Sequence, residues 1–383
     1  MSAIKERYYF EDKDYRFKFS FFFANNKLPG VLLQLILNLI WKVARLKKKN
    51  DSKTLAVISL LRIGDTVFSI PALRILVNNY SEYVINVFCF PESKPIYALQ
   101  FNNINIHTIE RSEFSFGRRI ASSRIRKTFN KTKPEIIFDF TCSVISATLI
   151  FRSGAKKIVG CNSRYFKSVY SSFGPLRTAP HFMDIYLDVV SLTERFERSS
   201  EIYNFPVDIK PDKKILIHPF AIRKAKEWGL KKFIELAASL NDEFEVEIIS
   251  PDDFIPPDVT DEIRRLNIKL TFTRTMDDLI SVIRDCSVFI SNDSGPTYIA
   301  ALLGKPTFTI YGPTNPKYSL PFGENHSYYQ KRLICSAKDE KVCFTLGGIY
   351  CPTHDCLNLV SSDEVKSAVL EFLNKQNIQK KKL

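Results

Sequence analysis

The sequence predicts an α/β protein made of two parallel-sheet domains. Three observations carry this. Apolar runs of strand length alternate with stretches of helical spacing from residue 54 to residue 310. The alternation halts once, across polar residues 197–214 with Pro206 and Pro211, and then restarts. Several strand runs are continuously apolar, as strands covered on both faces are. At 383 residues there is room for two domains of ordinary size, and 45% hydrophobic residues supply their cores.

The first half reads as strand 54–61, helix 67–79, strand 84–90, short helix 94–100 and a weak strand 104–109. A basic helix 115–131, strand 135–141, helix 144–152, strand 156–161 and helix 181–196 follow. After the linker come strand 215–219, helix 230–240, strand 244–250, helix 258–266, strand 268–272, helix 277–284 and strand 287–291. Helix 297–303, strand 306–310 and a closing helix 363–373 complete the chain, with a basic tail at 380–383. The expected boundaries are an arm 1–52, a first domain 53–205 and a second domain 206–383.

In open α/β sheets ligands bind beyond the carboxyl ends of the strands, so the loops there are the candidates. One is Arg62-Ile-Gly-Asp65, between the first strand and its helix. Pro71 is expected within about the first turn of that helix, where a missing N–H costs little. Asp65 either caps the helix or acts on a ligand, and spacing alone leaves both open. A second loop, Asn292-Asp-Ser-Gly-Pro296, lets Gly295 turn tightly and offers helix-start N–H groups to a phosphate. Asp293 there either holds a hydroxyl or caps. A third, Pro219–Trp228, brings Arg223, Lys224 and Lys226 to the same edge, as a cationic head for a diphosphate or as a solvated basic loop.

The formal charge of +14 and a pI near 9.3 favour an acidic partner. Residues 1–50 hold eleven Lys/Arg against four Asp/Glu. Within them, the apolar run Val31–Trp41 is too short to span a bilayer and is broken by Gln34 and Asn38. Lys42, Arg45 and Lys47–Lys49 follow it. Residues 28–49 therefore suit the surface of an anionic membrane, with Trp41 near one end, or a helix packed on the first domain. The run lies too far from the N-terminus for a signal peptide.

Eight cysteines without a secretion signal suggest a reducing compartment. Cys335, Cys343, Cys351 and Cys356, with His354 among them, lack a CxxC pair and match no common zinc module. Free thiols, a disulfide and a metal site are the three readings. G-x-G-x-x-G, the P-loop, H-E-x-x-H and G-x-S-x-G are absent, which argues against nicotinamide dehydrogenases, P-loop NTPases, zinc proteases and serine hydrolases.

Four stretches in order resemble the glycosyltransferase family 9 group, the ADP-heptose:lipopolysaccharide heptosyltransferases. They are Arg62-Ile-Gly-Asp-Thr-Val with Pro71-Ala-Leu-Arg74, then Lys226-Glu-Trp228 with Phe233. Asn292–Pro296 with Ala300–Pro306, and Tyr311-Gly-Pro-Thr-Asn-Pro316 with the cysteine-rich stretch, complete them. The resemblance covers about residues 54–372. It implies a GT-B fold: two Rossmann-like domains facing across a cleft, the first binding acceptor and the second binding nucleotide sugar, with the basic amphipathic arm added at the N-terminus.

It also implies roles. Asp65 would be the general base of an inverting transfer, with Arg62 and Gly64 shaping its loop. Lys226 would stabilise the departing phosphate. Asp293 would bind the donor sugar, and the N–H groups of Ser294 and Gly295 the phosphates. Asp252 or Asp253 would reach the ribose, with Asp253 taken as the candidate. No metal and no cofactor are implied. The partners implied are an ADP-linked donor and an anionic glycolipid acceptor at the inner face of the cytoplasmic membrane, with no nucleic acid. Two departures lie on the donor side: Phe220-Ala-Ile222 replaces a Gly-Ala-Ser/Thr-like turn, and Tyr298 stands where several members have histidine. The alternatives are a catalytically silent GT-B protein binding a nucleotide sugar or envelope lipid, and a basic nucleic-acid-binding α/β protein. No RNP-like or helix-turn-helix pattern supports the latter.

Overall fold

The computed structural model describes residues 35–36, 39–44, 49–115, 120–161, 167–174, 181–208, 214–251, 255–345 and 347–378. Most of residues 1–48, Asp252, Asp253 and the tail 380–383 lie outside this set. The chain divides into two units, Met1–Glu197 and Arg198–Leu383.

The first unit carries a six-stranded sheet, β1 (Thr54–Ser59), β2 (Val84–Cys89), β3 (Asn105–Thr108), β5 (Ile136–Asp139), β6 (Lys157–Cys161) and β7 (Ser172–Gly174), in the order β3-β2-β1-β5-β6-β7. Every pairing in it is parallel. The order reverses between β1 and β5, and β1 is buried along its whole length. Helix α1 (Ile63–Asn79) begins four residues earlier than expected, directly after Arg62. Pro71 is consequently inside the helix, not in its first turn, and the carbonyl four residues before it loses its N–H partner.

The expected basic helix 115–131 is shorter. An antiparallel bridge pairs Phe114 with Ala121 and Ser115 with Ile120, forming β4 (Ile120–Ala121). Helix α3 (Ser123–Lys131) then starts at Ser122, whose hydroxyl accepts from the Ile125 N–H. That cap is the local reason the helix starts there.

The second unit repeats the plan with β8 (Lys214–His218), β9 (Glu245–Ser250), β10 (Lys269–Phe272), β11 (Val288–Asn292), β12 (Thr307–Tyr311) and β13 (His326–Gln330). Their order is β10-β9-β8-β11-β12-β13, again all parallel, reversing between β8 and β11. Helices α7 (Leu230–Asn241), α10 (Gly295–Leu302) and α12 (Ser362–Lys375) cover the sheet, with Phe233, Leu236, Val369 and Phe372 in its core. The closing helix α12 carries the full capping box of Ser361 and Glu364.

Gly304-Lys305 belongs to no P-loop and serves as a structural strap. Gly304 has φ +74°, and a Cβ there would collide with the Pro206 carbonyl and lie 2.6 Å from the Asp208 nitrogen. Its carbonyl accepts from the Asp208 N–H at 2.9 Å, while buried Lys305 donates to the Asp208 carbonyl and carboxylate. Gly304→Ala is expected to cost at least ~1–2 kcal/mol in chemical denaturation, because left-handed backbone and backbone collision both oppose a methyl group. Unchanged stability would show that segment 206–208 can move away freely.

Candidate active site

In the second unit the loops after β8 and β11 leave the sheet on either side of the point where strand order reverses. That crevice is where such sheets bind ligands. Asn292, fully buried at the end of β11, links the two loops: its Oδ1 accepts the Trp228 N–H at 2.9 Å and its Nδ2 donates to the Pro219 carbonyl at 2.7 Å. The β8 loop is thus fastened at both ends by one side chain. Trp228 is buried, and its Nε1 donates to the Val360 carbonyl at 3.0 Å.

Lys226 lies between those fastenings and donates from Nζ to Asp293 Oδ2 at 2.6 Å. Asp293 is only 4% exposed and also accepts from Thr314 Oγ1 at 2.5 Å and from the Tyr298 hydroxyl. Burial alone would raise this carboxyl. The Lys226 ammonium and the hydrogen bonds from Lys226, Thr314 and Tyr298 outweigh burial and hold it below the usual carboxylate range. Asp293 therefore does not cap α10. Ser294 occupies the cap position, and its side chain makes no cap bond. Its Oγ is buried without a partner at the start of the helix, where the first N–H groups have no intrahelical acceptor. Gly295 is the first residue of that helix.

Two neighbours were silent in the sequence reading. His218 ends β8, is buried with Nδ1 unpartnered, and burial pushes its imidazolium down to about 4. Thr314 sits in the loop after β12, within a stretch that resembles the family but carries no distinctive hydroxyl pattern. Phe220 is buried, edge-on to His218 with ring centroids 6.0 Å apart, so it belongs to the core. Arg223 precedes the short turn Lys224–Lys226, and exposed Lys224 pairs with Glu227 at 3.0 Å.

In the first unit Asp65 is the third residue of α1, half-buried, while Arg62 occupies the cap position without a side-chain cap bond. The cap reading of Asp65 is therefore corrected: its carboxylate lies in the first turn, where the helix dipole favours it. The hydroxyl of buried Tyr186 donates to Asp65 Oδ1 at 3.4 Å. Tyr186 comes from α5 (Phe182–Ser191), and a partner 121 residues away leaves no local signal. Gly64 lies within α1, and exposed Arg62 accepts the Thr66 N–H at its carbonyl. Asp139, at the end of β5, is wholly buried and accepts from the Thr141 and Cys142 N–H groups and the Tyr170 hydroxyl. Burial raises its carboxyl, and those hydrogen bonds offset only part of the rise.

The four clustered cysteines are free thiols lining one cavity of about 60 Å³ with His354. Among the described residues no group of three or more His, Cys, Asp or Glu is arranged to hold a metal ion. The candidate ribose ligand Asp253 lies outside the described residues.

The family model described as glycosyltransferase family 9 (heptosyltransferase) matches residues 123–347. Lipooligosaccharide heptosyltransferase 2 of Campylobacter jejuni serotype O:2 is 26% identical over 306 residues, spanning 73% of this chain and 88% of that protein. The Haemophilus influenzae protein of the same name is 31% identical over 64 residues, only 17% of this chain and 18% of that protein. The structure of Escherichia coli ADP-heptose lipopolysaccharide heptosyltransferase II aligns over 85% of this chain and 99% of its own, with TM-score 0.64 and 16% identity. This likeness shows the fold, the GT-B class that the resemblance implies.

The Asp293 network sets a pH-dependent stability. Its folded carboxyl is depressed, so its contribution is complete above the unfolded value near ~3.9 and is lost as pH falls through the folded value. Lys226→Met is expected to lower stability by about 2 kcal/mol at neutral pH, because a buried carboxylate loses its cation. That deficit should shrink in denaturation curves taken below about pH 4. A deficit independent of pH would mean that packing of the lysine stem, not charge, is at work.

Proposed function

We propose, on the premise that this chain belongs to glycosyltransferase family 9 and is a glycosyltransferase, that it transfers a heptose from an ADP-linked donor to a lipopolysaccharide core or related envelope glycolipid. The reading includes inversion at the anomeric carbon and no metal ion. It is carried by the Lys226–Asp293 pair at the β8/β11 reversal, beside the partnerless Ser294 hydroxyl and the start of α10. A diphosphate requires cations and N–H donors in one place, and this crevice supplies both. The names of the relatives, lipooligosaccharide and ADP-heptose lipopolysaccharide heptosyltransferases, support the donor and acceptor classes.

In this reading the second unit binds donor. The N–H groups of Ser294 and Gly295 hold the phosphates, Asp293 contacts the sugar, and Asp253 is the ribose candidate. The acceptor hydroxyl oxygen attacks the anomeric carbon as the bond from that carbon to the diphosphate oxygen breaks. The hydroxyl proton passes to the Asp65 carboxylate of the first unit, and the leaving electron pair stays on ADP. Lys226 neutralises that growing charge, the task a metal performs elsewhere. Arg62, at the cap position, and Gly64, in the first turn of α1, set how Asp65 is presented. The acceptor class places the enzyme at the inner face of the cytoplasmic membrane. No helix among the described residues is long and apolar enough to cross it.

Thermal melting with ADP, UDP, GDP and CDP tests the donor site. ADP is expected to stabilise the wild type, by about 2.7 kcal/mol at a hundredfold excess over Kd, and Lys226→Ala should abolish the shift. Asp65→Asn should keep the ADP shift while kcat falls by ~10²–10⁴, the usual weight of a general base. Failure of every nucleotide to stabilise the protein would remove the donor site, and a normal kcat in Asp65→Asn would remove the base.

A further inference from the structure

Residues 35, 36 and 39–44 are helical, and they sort by face. Leu35, Ile36, Leu39, Ile40 and Val43 are 59%, 55%, 64%, 43% and 60% exposed. At 3.6 residues per turn these positions fall within an arc of about 140°. Trp41 and Ala44, on the opposite arc, are 6% and 5% exposed. Trp41 packs edge-on to Phe151 with centroids 5.3 Å apart and shares a core with Ile58 and Ile158. Trp41 is therefore the helix's anchor to the first unit, as the packed-helix alternative expects. The apolar stripe on the far side has no such cover among the described residues.

Five adjoining large apolar side chains in water call for a partner. The surrounding charge says which kind. Lys42 is exposed beside the stripe, and Lys49, Arg152 and Lys156 are exposed around a cavity of about 270 Å³ that Trp41 and Ala44 help to line. Lys156 is paired with Asp51 and Glu135, and Lys49 donates to the Ala155 carbonyl. Residues 1–50 carry a net +7, from eleven bases and four acids. An apolar stripe flanked by Lys42, on a segment of net +7, with Lys49 and Arg152 exposed on the protein side of the helix, matches an anionic bilayer, whose chains take the apolar residues and whose phosphates take the cations.

We propose that this helix docks the protein on anionic lipid, with Leu35, Ile36, Leu39, Ile40 and Val43 inserted and Lys42, Lys49 and Arg152 facing the headgroups. Trp41 and Ala44 stay on the protein, so the helix holds the first unit at a fixed attitude to the bilayer rather than tethering it loosely. The proposal deepens the reading of a membrane-borne acceptor and rests on it for its purpose.

Flotation of the full chain with phosphatidylcholine vesicles, with and without phosphatidylglycerol, is the test. The wild type should float with the anionic vesicles only, less so as salt rises. The double variant Leu39→Ser/Val43→Ser should bind about tenfold less or weaker still, while melting like the wild type because both sites are exposed. Trp41→Ala should lower the melting temperature, which Leu39→Ser/Val43→Ser should not. Unchanged flotation of the double variant would overturn the proposal. So would a wild-type dimer that the double variant dissolves, since a second copy would then cover the stripe. Transfer to a soluble core oligosaccharide reports on the enzyme reading separately: it should be the same in both proteins, and its absence from the wild type would sink that reading while leaving the flotation result standing.

Discussion

The ion pair between Lys226 and Asp293 holds the carboxyl edge of the second sheet together. A carboxylate as buried as Asp293 cannot remain charged unless donors surround it. Its donors come from three loops: Lys226 after β8, Tyr298 from the first turn of the helix after β11, and Thr314 after β12. One desolvated charge thus forces three consecutive strand ends to converge. Asn292, its neighbour in sequence, adds the mechanical part by fastening the β8 loop at Pro219 and Trp228. Between two fixed points the loop has little freedom, so the lysine is presented at one place before any ligand arrives. Catalysis by electrostatics depends on such preorganisation, since reorganising charges during the reaction would cost what they gain.

Much of this could be read from the sequence, and the failures have physical causes. Strands β1, β8, β11 and β12 are covered on both faces, so their apolar runs were unmistakable. Strands β7 and β13 lie at sheet edges, where Ser172-Phe-Gly174 and His326-Ser-Tyr-Tyr-Gln330 carry little apolar signal, and both were missed. The start of α1 lies four residues before its helical periodicity becomes visible, because Gly64 is a poor helix signal, and this puts Pro71 inside the helix. The candidate loops stand out in the sequence because they lie at strand ends and carry Gly, Asp and Lys. Their supports do not. Tyr186 reaches Asp65 and Tyr170 reaches Asp139 across the fold, and pairings of that range leave no local pattern.

Trp41 shows the same limit in another form. A tryptophan next to lysines at the end of an apolar helix satisfies a membrane pattern and a packing pattern equally. Only the angular position relative to Phe151 distinguishes them, and that depends on residues more than a hundred positions away. The structure gives the tryptophan the packing role, and burying Trp41 turns the aliphatic stripe outward.

The two departures from the family pattern acquire a common sense in this frame. Phe220 removes a hydroxyl from the β8 turn, and its ring is spent on covering His218. The hydroxyl left at the edge without a partner is that of Ser294. Tyr298, where a histidine is common, donates to Asp293 through a phenol that burial and the neighbouring carboxylate hold well above its ordinary pKa. A histidine at that position would change charge near neutrality, whereas this phenol stays neutral. His218 is likewise kept neutral by burial. Asp293, Tyr298 and His218 therefore each keep one charge state across neutral pH. An anion bound at this edge would meet the same field from these three groups across that range.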